Sequence, residues 1–179
     1  MSVGIEIGLG DLSPELLGLL SRTSAGTPMY VEPAGIDGAD FYGEFGGMLC
    51  FGRSARDHNS ASQLAAFSAY ALSAGIAAGA LEPLTKFDKP YVLIPRTPSG
   101  ALEELDVSIV GADALHTALV SIASHIGLSL NDGVLSDSQA QAINDGEGDD
   151  SLIDFQVVWL LLFEAARLCS KTGTALVVA

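Results

Sequence analysis

Apolar and polar positions alternate at the start of the chain in "VGIEIGL", which predicts a short strand. The period changes in "DLSPELLGLLSR": Ser13 can cap, Pro14 takes the first helical position and a leucine stripe follows, the pattern of a short helix. "TPMYVE" and "DFYGEFGGMLCFG" return to strand patterns. In the second of these, Gly46-Gly47 separates two apolar runs and predicts a tight hairpin, because glycine adopts the positive φ of a primed turn without strain.

From Ser60 the chain reads "SASQLAAFSAYALSAGIAAGAL", a helix whose Ser60 and Gln63 are spaced as a reciprocal capping box. Leu64, Phe67, Tyr70 and Leu72 are its larger apolar groups; the Ala, Ser and Gly between them predict close packing against a neighbour. "KPYVLIP" and "LDVSIV" predict two further strands, and "GADALHTALVSIASHIG" a helix stopped by Gly127. The following "LSLNDGVLSDSQAQAINDGEGDD" is polar and rich in turn residues, with room for one short helix near residues 136–143. "SLIDFQVVWLLLFEAARLCSK" predicts the main core helix, with Ser151 as N-cap, Asp154 completing a capping box and Gly173 as stop; "TALVV" then predicts a terminal strand. Strands and helices do not alternate strictly, and the hairpin supplies antiparallel pairing. The expected fold is therefore α+β: one compact domain over residues 1–179, with a mixed sheet of about six short strands packed with about four helices.

At 179 residues, 49% hydrophobic and 17% charged, the chain has enough apolar surface for a real core. Its most apolar segment, residues 152–169, is interrupted by Asp154, Gln156, Glu164 and Arg167, the mark of a buried helix and not of a membrane span. Cys50 and Cys169 lie in apolar settings and read as buried thiols. The start of the chain has neither the basic region nor the apolar run of a signal peptide, so a cytoplasmic location is expected.

Charge changes the picture most. Eight Lys and Arg face 22 Asp and Glu, a net charge of −14, and residues 97–166 contain twelve acids without one Lys or Arg. Direct binding to nucleic acid is disfavoured, because Lys and Arg supply most of that affinity, and so is an anionic membrane surface.

The remaining chemistry is incomplete wherever it begins. "NDGEGDDSLIDF" suggests a calcium loop, but an EF-hand begun at Asp145 would need Gly and Glu where Asp150 and Gln156 stand. His116 and His125 are nine residues apart and fall on opposite faces of their predicted helix, so no metal site is expected. "GLGDLSPE" lacks the third glycine of a dinucleotide loop, and no cofactor is expected. No catalytic residue is assigned, and an enzyme is the less favoured class. One alternative is kept: Arg53, Ser54, Arg56, Asp57 and His58 form a loop that could bind a phosphate or carboxylate, which would make the protein a small-molecule-binding domain or an enzyme. A further alternative is a structural homo-oligomer assembled through the small-residue helix.

With no complete catalytic constellation, the strongest signal is the negative field. The candidate partner-binding residues are Glu103, Glu104, Asp106, Asp132, Asp137, Asp145, Glu147, Asp149 and Asp150. In size and acidity alone the chain resembles bacterial immunity proteins. That resemblance implies an inhibitor that binds and neutralises a basic toxin or effector domain. The partner expected on this basis is a basic protein, with no nucleic acid and no membrane, and with a homo-oligomer left open.

Overall fold

The computed structural model describes residues 2–7, 14, 18, 20, 42–56, 58–76, 79–86, 88–98, 106–147 and 149–178. Its strands are β1 (Ser2–Ile7), β2 (Tyr42–Phe45), β3 (Met48–Phe51), β4 (His58–Ser60), β5 (Tyr91–Ile94), β6 (Ser108–Gly111) and β7 (Leu176–Val178). Four α-helices are described: α1 (Ala61–Ser73), α2 (Ala112–Ala123), α3 (Asp137–Asn144) and α4 (Ile153–Thr172). Five strands form one sheet in the order β4-β1-β7-β5-β6; β5 and β6 run parallel and the other pairs antiparallel. The hairpin β2–β3 stands apart from it, turning at Gly46 and Gly47 with φ of 59° and 79° as the sequence predicts. The α+β class is confirmed.

β5 explains why "YVLI" is an unbroken apolar run: the sheet is covered on both sides. Tyr91 and Leu93 face the main core with Ile5, Leu176 and Val178, while Val92 and Ile94 meet Leu20 and Val177 on the other face. α4 is the centre of the main core. Of its twenty residues, thirteen are buried, and it packs against α1, α2, α3, β3 and β5. Two of its buried polar side chains find partners on α2 and just beyond it. Trp159 stacks on Phe163 at 4.4 Å and donates its indole N–H to the Leu119 carbonyl at 2.8 Å, and Gln156 donates to the Ile126 carbonyl at 2.8 Å.

Most helix boundaries follow the sequence. Ser60 and Gln63 form the capping box of α1, and Gly127 and Gly173 end their helices in the left-handed conformation. The predicted cap of α4 is corrected. Its N-cap is Leu152, without a side-chain bond, and Ser151 donates its backbone N–H and its hydroxyl to Asp149 at 2.9 and 2.6 Å. A carboxylate two residues upstream competes successfully for Ser151, and the helix starts later as a result. The short strand β4 and a 3-10 helix at Glu82–Thr85 had no clear signal in the sequence. The predicted strand "TPMYVE" lies outside the described residues, as does most of the predicted first helix.

Candidate functional site

The acidic stretch is folded tightly around α3. Ahead of the helix, Asn131 and Val134 exchange two backbone hydrogen bonds of 2.9 Å across a turn in which Asp132 and Gly133 have φ of 50° and 76°. Ser136 then caps α3 by accepting from the backbone N–H of Gln139. Leu135, Ala140 and Ile143 turn inward and are buried, which seats an otherwise polar segment on the core. At the far end Asp145 accepts from Gln141 at 2.8 Å, and the chain passes through Glu147, Asp149 and Asp150 into α4. Asp132, Asp137, Asp145, Glu147, Asp149, Asp150 and Asp154 are all exposed.

Six of the nine candidate partner-binding residues lie exposed on the segment that flanks α3 and leads into α4: Asp132, Asp137, Asp145, Glu147, Asp149 and Asp150. Asp154, which the sequence assigned only to capping, joins them. Asp106 lies just before β6 and makes an exposed ion pair with Lys89 at 3.4 Å. Glu103 and Glu104 lie outside the described residues. Among the described residues no cluster of His, Cys, Asp and Glu is arranged to hold a metal ion, and no helix is long and apolar enough to cross a membrane.

What holds like charges in one place is the turn after β3. Glu164 of α4 is fully buried and receives Arg53 through Nε at 3.0 Å, Nη2 at 2.9 Å and the backbone N–H at 3.0 Å, with Arg167 on its other side. Arg53 also donates through Nη1 to the Leu135 carbonyl at 2.6 Å and to Asp137 at 3.2 Å. Asn144, at the other end of α3, donates to the Arg53 carbonyl at 2.8 Å and accepts from Ala55 N–H at 2.9 Å. Gly52 permits this approach: its φ is +58°, and a Cβ there would stand 2.5 Å from the Glu164 carboxylate.

Two residues of the alternative ligand loop, Arg53 and Ser54, have structural duties in the same geometry. The Nε, Nη1 and Nη2 atoms of Arg53 are all engaged by groups of the protein itself. Ser54 is buried with its hydroxyl on the Arg56 carbonyl at 3.0 Å. Arg56 is exposed, Asp57 lies outside the described residues, and of His58 only the backbone, in β4, is described. Arg53 and Ser54 are thus committed to a structural joint within the protein. The sequence held the clue in part, since a rare cation in an acidic chain has many carboxylates to choose from; that its partner would be Glu164 needed the fold.

Electrostatics at the start of α4 gives a direct test. The Ser151 hydroxyl and then its backbone N–H hold the Asp149 carboxyl below the usual aspartate range, as hydrogen bonds to the charged form do. A depressed value means that this contribution to stability is present above the ordinary aspartate range and lost as pH falls through the lowered one. Ser151→Ala is expected to return Asp149 towards the ordinary value, measured by NMR titration of its side-chain carboxyl; an unchanged titration would show that the hydroxyl is not the main cause.

No curated protein and no solved structure matches the chain. A family model described as "Putative DNA-mimic protein" matches residues 78–178. The match contains the whole cation-free run, together with α2, α3 and α4. It overturns the expectation of an immunity-type inhibitor directed at a toxin, and with it the expected partner, a basic toxin-like protein with no relation to nucleic acid. The homo-oligomeric assembly reading also finds no support in it. Composition reports the sign of the charge and not what the charge imitates, which is why size and acidity alone led to the wrong class. More than half of its length is matched by this model, and the chain belongs to the DNA-mimic family.

Proposed function

We propose that this protein is a DNA mimic that occupies the DNA-binding face of a DNA-binding protein, its carboxylates standing where phosphates would stand. The observation that carries this reading is the group of exposed carboxylates around α3 and the start of α4, within a matched region whose residues 97–166 contain no Lys or Arg. A carboxylate, like a phosphate, offers acceptor oxygens that take the paired N–H groups of arginine. A duplex carries about one negative charge per 1.7 Å of its axis, so an imitation needs many acids close together and few cations between them. The chain meets that requirement here. Asp132, Asp137, Asp145, Glu147, Asp149 and Asp150 form the contact face, with Glu103, Glu104 and Asp106 as further candidates beside it. The site of action proposed is the cytoplasm, in the company of DNA-binding proteins.

Competition with DNA tests the reading. Protein immobilised through its N-terminus is used to capture partners from a lysate of its host, and the captured protein is titrated against a fluorescently labelled duplex. The expected result is that added mimic releases the duplex and that excess duplex elutes the partner. A stable ternary complex of mimic, captured protein and duplex would overturn it.

A further inference from the structure

We propose that Arg53 is the positioning residue of the anionic face: its guanidinium holds the start of α3 and its carbonyl, with the Ala55 N–H, holds the end, so that two groups of carboxylates are kept at a fixed separation before any partner arrives. The functional half of this proposal rests on the DNA-mimic reading; the structural half does not. One group, Asp132 and Asp137, lies at the N-terminal end of the helix, and the other, beginning at Asp145 and Glu147, lies at its C-terminal end. Eight helical residues at about 1.5 Å each separate them by about 12 Å along the axis. That is of the same order as the width of the B-DNA major groove, about 12 Å. Residues 138–144, between the two groups, carry no charge.

Such a spacing has value only if it is rigid, and an isolated eight-residue helix is not stable in water. Only Ala140 and Ile143 of α3 are buried, so apolar burial alone holds it weakly. The turn at 53–55 supplies the rest. The guanidinium reaches the Leu135 carbonyl and Asp137 at the start of α3, and the backbone of Arg53 and Ala55 receives the Asn144 amide at its end. The same guanidinium is fixed from behind by the buried carboxylate of Glu164, so the grip is anchored in the central helix.

Hydrogen exchange on the full chain tests the structural half. In Arg53→Ala the backbone amides of residues 139–144 are expected to exchange at least about tenfold faster than in the wild type, while those in the middle of α4 keep their protection. Arg53→Lys is expected to behave like the alanine variant, because one ammonium cannot serve Glu164, Leu135 and Asp137 together. Unchanged exchange in Arg53→Ala, or full rescue by lysine, would overturn the proposal. Should the alanine variant fail to fold, the double variant Asp137→Ala, Asn144→Ala removes from the helix side one tie at each end of α3, the Asp137 acceptor and the Asn144 amide, and an acceleration in the same direction is expected.

Binding tests the functional half with two probes, the DNA-competing protein captured as above and poly-L-lysine. A folded partner reads the spacing and is expected to lose at least about tenfold in affinity for the lysine variant; poly-L-lysine reads only charge and is expected to change less than about twofold. Equal losses on both probes, or none on either, would overturn it. A failure of the DNA-mimic reading itself appears separately, as absence of competition with DNA by the wild type, and leaves the exchange result standing.

Discussion

Combining Asp132→Asn, Asp145→Asn, Glu147→Gln and Asp150→Asn in a single variant is expected to slow association with the proposed DNA-binding partner by about tenfold to a hundredfold. Four charges leave, and the net charge moves from −14 to −10. The fold is expected to survive. All four side chains are exposed, asparagine tolerates the left-handed backbone at position 132, and the amide oxygen introduced at position 145 can still accept from Gln141. Asp149 is left in place because it holds Ser151 at the start of α4. Stopped-flow association at several salt concentrations measures the effect. The wild-type rate should fall steeply as salt rises and the variant's should fall less, since screening acts on the charges that were removed. Equal rates and equal salt slopes would remove these carboxylates from the contact face.

Glu164→Ala is expected to be strongly destabilising, costing about 3 kcal/mol. The carboxylate is fully buried, and its loss leaves the Arg53 guanidinium, 15% exposed, without its principal counter-charge. Arg167 is 38% exposed and can turn to water, so most of the cost falls on Arg53. Urea denaturation measures it as a lower midpoint; a loss below about 1 kcal/mol would mean that water or another carboxylate takes over the pair. Glu164→Gln keeps the volume but turns an amide N–H₂ towards N–H donors, and it too is expected to destabilise.

How much of this could be read beforehand depends on the range of the interaction concerned. Local signals were legible: the Ser60 and Gln63 box, the Gly46-Gly47 turn, the stops at Gly127 and Gly173 and the short helix after Ser136 all depend on residues within a few positions of one another. The run "QVVWLLLF" announced a buried helix for the same reason. The acidic segment was legible as a charge imbalance, and its exposure followed. What stayed hidden was every feature made by distant residues. Arg53 meets Glu164 across 111 positions and Leu135 across 82, and nothing near Arg53 in the sequence distinguishes an anion-binding loop from a joint. The Ser151 cap failed for a different reason: two local motifs compete there, and the Asp149 turn prevails.

The order of the sheet carries a consequence for synthesis on the ribosome. β7, only three residues long, is hydrogen-bonded to β1 on one side and β5 on the other. Until Leu176–Val178 emerge, the described five-stranded sheet lacks the strand that links β1 to β5. At roughly 5–20 residues per second, β1 waits roughly 10–30 s for the strand that joins it to the other half. The acids of residues 97–166 are thus synthesised before the strand that completes the described sheet between β1 and β5.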